Sequence, residues 1–574
     1  MSRQLQRRTF FTIIGEEIGQ FERRASKSVN GQERTLETAP SVQSIEASAL
    51  SPLRHPVFRS LWLASVVSNV GTWMQAVGAA WLMTSLAPSP VMVALVQAAN
   101  TLPMFLLALP AGALADIIDR RRLLLFAQCW MMLAAAVLGF LTVYSITDAW
   151  LLLLLTFSLG IGAALNAPAW QAIVLDVVPR SDLTAAVSLN SAGFNVARAV
   201  GPTLGGIVIA ASGPGAVFLI NAASFLAVVI VLFLWRKPAT RSVLPAERVF
   251  GAIRTGIRYV RHAPALQAIF LRAVAFIGFG SSIRALLPVI TRFELERGPT
   301  AYGVLLGFLG AGSVAGAFLM PAMRRRMNVD ALLAFSALLF AGMLFTFAGV
   351  RVFWVLCAAM FAGGVAWLAL LSTFNASVQA AVPVWVRGRA LSVYLLIFFG
   401  GLAGGSALWG AVAEAISLSA SLVIAGAGTI LGLVATMQFS LSRRQTEGLE
   451  PAMDWPTPTL VGGGVETGRG AVLVTIEYRI DPARQREFVG AMQRLRRIRR
   501  RDGALRWGLG RDTTDPERFI EFYVVESWTE HLRQHERLTV ADRAAFEHAR
   551  SFHTADLPPS VSHFVFLSGK NEGA

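Results

Sequence analysis

The chain has 574 residues, of which 54% are hydrophobic and 15% are charged, and its mean hydropathy is +0.55. This composition excludes an ordinary soluble protein, in which about a quarter of the residues carry a charge. The formal net charge of +16 does not indicate a nucleic-acid partner, because membrane proteins concentrate Lys and Arg in the loops of their inner face.

The first 50 residues are polar and lack a regular apolar period. Arg7 and Arg8 are similar to a twin-arginine export signal, but the apolar stretch behind them is short and ends at Glu16. We therefore reject a signal peptide. Residues 1–55 are predicted to be a disordered cytoplasmic arm. The alternative is that the start codon has been placed too early.

Twelve apolar runs of about 20 residues follow, each long enough to cross a hydrocarbon core about 30 Å thick. We predict a helix for each run, since unpaired backbone groups are costly in lipid. The runs lie near 58–85, 91–114, 123–144, 149–175, 183–211, 214–235, 265–290, 301–322, 329–349, 352–378, 388–414 and 418–441.

These runs form two copies of one unit, because the same residues recur at a spacing of 204. The sequence predicts a six-helix half at 56–236, a cytoplasmic linker at 237–264 and a second half at 265–441. Halves of this kind commonly move about a site held between them. The recurring residues are Arg120 and Arg324, Pro179 and Pro383, Ser188 and Ser392, Gly201 and Gly405, and Gly206 and Gly410.

Loop charge predicts the orientation of the chain in the membrane. The connections after the even-numbered helices, counted with Arg389 just past the last of them, carry 16 basic residues, whereas those after the odd-numbered helices carry 3. Since loops rich in Lys and Arg remain in the cytoplasm, both termini are predicted to be cytoplasmic.

The loop after the second helix runs from Gly112 through Asp116 to Arg120. It resembles the loop signature of the major facilitator superfamily, G-x-L-a-D-r-x-G-r-R. The resemblance implies a gating latch, in which Asp116 contacts the eleventh helix near Gly388 and a loop arginine such as Arg120 pairs with Asp176. Ile117 and Asp119 depart from the signature, and the second half has Met320 in place of the acid.

The fifth helix contains Gly201, Pro202, Gly205 and Gly206, which resemble the G-P-x-x-G-G signature of exporters in this superfamily. The resemblance implies efflux. Proline removes a backbone donor and glycines allow close packing, so we expect a kink here. The coupling ion implied is a proton, although Thr156 stands where proton-coupled drug antiporters carry arginine.

Residues 58–75 resemble the branch that includes the bacterial enterobactin exporters. The resemblance implies a secondary active exporter of small amphipathic molecules, siderophore-like or drug-like, in the bacterial inner membrane. No G-x-x-x-x-G-K-[ST] phosphate loop occurs, which argues against ATP-driven transport.

Charged residues within the bilayer usually face a cavity or a partner. Arg198 and Arg284 are therefore candidates for a cavity that takes an anionic or polar substrate, although an internal structural pair or snorkelling explains them equally well. Arg272 lies nearer the cytoplasm, and Glu414 is the best-placed acid. The amides Asn69, Gln75, Asn166 and Gln171 either line the cavity or form interhelical hydrogen bonds.

Cys129 and Cys357 fall inside apolar helices, where we expect buried structural thiols and neither a disulfide nor a metal site. The fold class predicted for the whole chain is an all-α membrane protein of twelve helices, followed by a linker at 442–469 and a small α+β domain at 470–574.

The elements of this C-terminal domain are predicted in the order β-α-β-β-α-β, with the second helix at 529–549, which suits a ferredoxin-like fold. Glu526, Ser527 and Trp528, leading into a helix with His531 and His535, are similar to dimeric α/β barrels related to antibiotic biosynthesis monooxygenases. The resemblance implies homodimerisation. Three roles remain open: a dimerisation or regulatory module, which we favour, an enzyme that acts on the bound compound, and membrane docking.

His531, His535, His548 and His553 raise the question of a metal or haem site. We favour ordinary surface histidines, because no Cys or clear carboxylate partner completes a site, and we expect no cofactor. The six arginines between Arg494 and Arg501 either form a solvated face or dock on anionic lipid.

Overall fold

The computed structural model describes residues 50–235, 258–439, 450 and 470–566. The predicted N-terminal arm and the two linkers lie largely outside these ranges. Before residue 440 the described ranges contain eleven long helices: α1 (Pro56–Leu86), α2 (Pro90–Ile117), α3 (Arg120–Val143), α4 (Ala149–Val177), α5 (Leu183–Leu234), α6 (Pro264–Val289), α7 (Pro299–Arg326), α8 (Val329–Gly349), α9 (Phe353–Ala380), α10 (Val384–Ala415) and α11 (Leu418–Met437).

Local sequence explains where these helices begin. Proline occupies the first turn of α1, α2, α6 and α7, where its missing N–H costs no intrahelical hydrogen bond. Side-chain oxygens cap five helices by accepting a hydrogen bond from a backbone N–H of the first turn. These caps are Ser89, Asp119, Asp148, Asn328 and Ser417.

Helix α5 is two helices joined at Gly213, whose φ of 79° and ψ of 169° are not helical. The chain turns there because glycine tolerates positive φ and Pro214 follows it. Ten stretches of the described chain are long and apolar enough to cross a membrane, and residues 180–234 are one of them. The protein is therefore a mostly helical, multi-pass membrane protein.

The halves meet along two helix pairs. We call α1–α5 the first half and α6–α11 the second half. Within the first half α1 packs on α5, whereas α2 packs on α10 and α5 packs on α7 across the boundary between the halves. The buried-thiol expectation holds for Cys357 but is wrong for Cys129, which is exposed at the surface of α3.

The C-terminal domain is a four-stranded antiparallel sheet with helices. Its elements are β1 (Val472–Arg479), α12 (Gln485–Asp502), β2 (Arg506–Arg511), β3 (Arg518–Val525), α13 (Trp528–Glu536), α14 (Val540–Arg550) and β4 (Ser560–Val565). The strand order is β2-β3-β1-β4. The single helix predicted at 529–549 is wrong, because Thr539 and Asp542 form a capping box that starts a new helix.

Candidate functional site

Two arginines lie on helices of different halves, and each contacts the other half. Arg198 on α5 donates a hydrogen bond from Nη2 to Ser313 Oγ on α7, at 3.0 Å. Arg284 on α6 places its guanidinium 5.6 Å from the ring centroid of Trp73 on α1. The predicted cavity arginines therefore lie on the surface where the halves meet.

Neither arginine has a carboxylate partner within ion-pair distance in the part of the chain that the structure describes. Because buried charges without a counter-ion are costly in a low dielectric, an anionic group that bound between them would be attracted. We call Arg198, Arg284, Trp73 and Ser313 the arginine site.

The predicted amides mostly form contacts inside the first half. Asn221 Nδ2 on α5 donates to Gln75 Oε1, and Gln128 Nε2 on α3 donates to Asn166 Oδ1 at 3.0 Å. Asn69 Nδ2 donates to Ser65 Oγ on its own helix at 3.3 Å. These hydrogen bonds fit the interhelical alternative for Gln75 and Asn166, since each is already paired with a neighbouring helix.

One end of the bundle carries Arg120 to Arg122 and Arg324 to Arg326, and we call it the basic end. At the opposite end several contacts join the halves. Glu414 accepts hydrogen bonds from Ser89 Oγ and from the backbone N–H of Val91, and Arg292 donates to Thr84 Oγ1 at 2.9 Å. Glu414 was expected at membrane depth, but it is exposed one residue before α10 ends.

The exporter-like glycines bring α5 against α7. A Cβ at Gly206 would lie 2.5 Å from the Pro299 carbonyl oxygen, and a Cβ at Gly303 would lie 3.1 Å from Gly206 Cα. Gly201 and Gly205 instead face α1, at Trp73 and Met74. The break in α5 falls at Gly213 and leaves Pro202 within helical backbone. Gly206 thus allows the halves to approach as closely as helix backbones can.

The latch residues lie at the basic end. Arg120 Nη1 is 3.3 Å from both carboxylate oxygens of Asp176 and donates also to the Ala172 carbonyl. Arg121 donates to the carbonyls of Leu232 and Phe233, which end α5. These contacts tie α3 to the ends of α4 and α5, where carbonyl groups carry partial negative charge. Asp116 lies in α2, but its side chain falls outside the described part of the structure.

Sequence reasoning missed the partner of one histidine in the C-terminal domain. The expectation of surface histidines is wrong for His531, which is 1% exposed. Its Nε2 lies 3.0 Å from His563 Nε2 on β4. Burial, together with His535 and His563, lowers the pKa of His531 to about 3. His548 and His553 lie elsewhere, beside Phe552 and Tyr478. No group of three or more potential ligands in the described residues is arranged to hold a metal ion.

Comparison with known proteins gives a family match over residues 47–571, to a model described as "Transmembrane secretion effector" (MFS_3). The match includes the C-terminal domain. The chain is 24% identical over 371 residues to the staphyloferrin A transporter of Staphylococcus aureus, covering 64% of this chain and 92% of that protein. It is 25% identical over 399 residues to the enterobactin exporter EntS of Salmonella typhimurium, covering 68% and 94%.

Among solved structures, a POT family transporter in complex with a thioalcohol-conjugated peptide matches with a TM-score of 0.57 and 13% identity. The match covers 68% of this chain and 96% of that one. At this identity the likeness establishes the transporter fold of the membrane part and nothing about the substrate.

Proposed function

Since the chain belongs to the transmembrane secretion effector family of the major facilitator transporters, we propose that it exports small amphipathic molecules that carry negative charge. The observation that carries this proposal is the arginine site, in which two guanidinium groups without a described counter-ion lie on the contact surface between the halves. Trp73 adds an aromatic surface for the apolar part of the substrate. Two relatives are a transporter of staphyloferrin A and an exporter of enterobactin.

The arginine site is suited to alternating access, because each arginine belongs to one half and contacts the other. A substrate anion that contacts both arginines would supply the counter-ion that they lack among the described residues and would hold the halves together. Movement of the halves would then separate the two contacts and release the substrate. This account makes the protein a secondary transporter and not an enzyme, and the comparisons give no support to the enzymatic alternative.

The number of membrane helices that we propose is twelve. The two helices joined at Gly213 count separately, and α1 is included although it is less apolar than the ten stretches noted above. We propose that the basic end faces the cytoplasm, as the loop charges require, and that both termini lie there. The membrane is then the inner membrane of a bacterium.

The latch is proposed on the same side. Asp116 would engage the start of α10 near Gly388 when the basic end closes, while the Arg120–Asp176 pair keeps α3 and α4 together. We propose a proton as the coupling ion. The support is the resemblance alone, because Glu414, the acid expected at depth, is engaged at the opposite end.

The C-terminal domain is proposed to be ferredoxin-like and to dimerise. Its strand order β2-β3-β1-β4 supports the first point. Exposed apolar side chains on β4 and β3 support the second, since such a surface is costly in water. These side chains are Val561, Phe564 and Phe522.

Transport by inside-out vesicles tests the proposed function. Vesicles that contain the wild-type protein should accumulate anionic siderophores when a proton gradient is imposed, and Arg284→Gln should lower the initial rate about tenfold, since a charge-assisted contact is lost. The control is Arg297→Gln, because Arg297 is exposed beyond the end of α6. Equal transport of cationic drugs and anions by the wild type, with no effect of Arg284→Gln, would refute the arginine site.

A further inference from the structure

The C-terminal domain rests against the basic end of the second half through two arginine–aromatic stacks and an ion pair. Arg537 on the domain lies 4.6 Å from the ring centroid of Trp385, in the first turn of α10. Arg501 lies 5.5 Å from the ring of Tyr259, which precedes α6. Glu530 Oε1 is 3.5 Å from Arg258 Nη2. We call these contacts the dock.

Two residues of the dock are buried, the others are half-buried, and its parts hold one another in place. Tyr259 is 2% exposed and Arg537 is 9% exposed. Arg537 donates to Glu530 at 2.6 Å and to the Asp502 carbonyl at 3.2 Å, so its guanidinium is oriented before it meets Trp385. The rings of Trp385 and Tyr259 meet edge to face, with centroids 5.6 Å apart. A desolvated guanidinium–indole stack of this kind is much stronger than an exposed one.

Gly503 permits the close approach of the domain. Its φ of +130° is a conformation that other residues rarely adopt, and a Cβ here would lie 3.0 Å from Glu530 Oε1 and 3.2 Å from Arg258 Nη2. A side chain at this position would therefore push against the ion pair of the dock. Glu450, the one described residue between 439 and 470, also contacts the domain, since the Val540 N–H donates to its carbonyl at 3.0 Å.

The dock lies close in sequence to the proposed latch position and to the helix of the arginine site. Trp385 lies three residues before Gly388, the position that the proposed latch residue Asp116 should reach. Tyr259 leads into α6, the helix that carries Arg284 of the arginine site. The domain therefore contacts the start of α10, where the proposed latch acts. It also contacts the segment before α6, the helix that carries Arg284 of the arginine site.

We propose that the docked C-terminal domain positions the first turn of α10 for the latch, so that the position of the domain controls closure of the basic end. This inference rests on the proposed alternating-access function. A ligand or a second copy of the chain that bound to the domain would affect transport through Trp385, because the contact between Arg537 and Trp385 is lost when the domain undocks. The C-terminal domain is on this account a regulatory element of the transporter.

Two variants on different sides of the dock test the proposal. Trp385→Ala removes the ring that Arg537 and Tyr259 contact, and Gly503→Ala disturbs the dock from the domain. Arg258→Ala removes only the ion pair of the dock. The matched control is Arg261→Ala, which changes an exposed residue on the same turn. Hydrogen exchange of α13 and of residues 258–262 in the full-length protein reports whether the domain is docked.

Closure of the latch is measured without transport. Cysteines replace Gly112 and Gly388 in a background with Cys129→Ser and Cys357→Ser, and a short bifunctional maleimide joins them when the basic end closes. Trp385→Ala should lower the cross-linking rate about thirtyfold, the factor that matches loss of one desolvated stack. Gly503→Ala and Arg258→Ala, which disturb the ion pair, should each lower the rate by a smaller factor, and Arg261→Ala should leave it unchanged.

The two proposals fail separately in this design. Cross-linking that responds to the dock in a protein without export activity supports the dock and counts against the proposed function. An unchanged cross-linking rate in variants whose domain has undocked overturns the dock proposal, whatever the transport result. A domain that stays docked in Trp385→Ala overturns it too, because the named stack would then not hold it.

Discussion

The buried histidine pair of the C-terminal domain predicts how this domain responds to acid. His531 is almost fully buried, and its pKa is lowered from 6.5 to about 3 by burial and by the neighbouring histidines. Below pH 6.5 the His531 imidazole therefore binds a proton in the unfolded chain, whereas in the folded domain it does so only near pH 3. Stability must fall as the pH falls through this window.

The loss can be worked out from the shift. Between pH 6.5 and 4.5 the histidine of the unfolded chain changes from half protonated to almost fully protonated. This lowers the free energy of unfolding by about 2 kcal/mol. Burial lowers the pKa of His563 as well, so its contribution has the same sign. His531→Leu removes the first contribution and keeps an apolar side chain of similar size beside Trp528, whose ring centroid is 5.4 Å from that of His531.

Hydrogen exchange of β1 and β3 in the full-length protein, corrected for the intrinsic exchange rate at each pH, measures the free energy of opening. The wild type should lose about 2 kcal/mol more than His531→Leu between pH 6.5 and 4.5. His548→Leu, at an exposed position, should behave as the wild type does. Parallel pH profiles for the wild type and His531→Leu would refute the reasoning, because the buried imidazole would then titrate normally.

Two further predictions concern the membrane part. Gly303→Ala should reduce export at least about tenfold while the protein still inserts, because its Cβ would collide with the Pro202 carbonyl across the boundary between the halves. Vesicle transport and the yield of protein in the membrane measure this. The control is Gly404→Ala, because a Cβ at Gly404 would lie in open space. Asp330→Asn should destabilise the second half by about 1–3 kcal/mol, because Arg272, 6% exposed, pairs with Asp330 at 2.6 Å. Thermal unfolding in detergent, with the exposed Glu296→Gln as control, measures the loss, and an unchanged midpoint would contradict it.

Some site residues could be selected from the sequence, by resemblance or by local chemistry. The resemblance implied that a loop arginine pairs with Asp176, and the structure places Asp176 3.3 Å from Arg120, 56 positions away along the chain. Arg198 and Arg284 could be selected because charges are rare in apolar helices. Their contacts with Ser313 and Trp73 could not, since the contacting residues are 115 positions away in one case and on another half in the other.

The sequence by itself determined that the chain is a helical membrane protein, and it predicted two duplicated halves followed by a C-terminal domain. Run length, loop charge and residue periodicity act over short distances, because each backbone group in lipid must be satisfied within its own helix. Only the tertiary structure decided which polar side chains remain available to a substrate. Gln75 is paired with Asn221, 146 positions away, and Glu414 is engaged at one end of the bundle with Ser89, 325 positions away.

The same distinction between local pattern and tertiary packing applies to the C-terminal domain and its dock. The alternation of β1 predicted a strand, but the stack of Arg537 on Trp385 joins two residues that no local pattern relates. Such contacts depend on how completed helices and sheets pack, and a buried polar or charged group takes whichever partner that packing brings within reach.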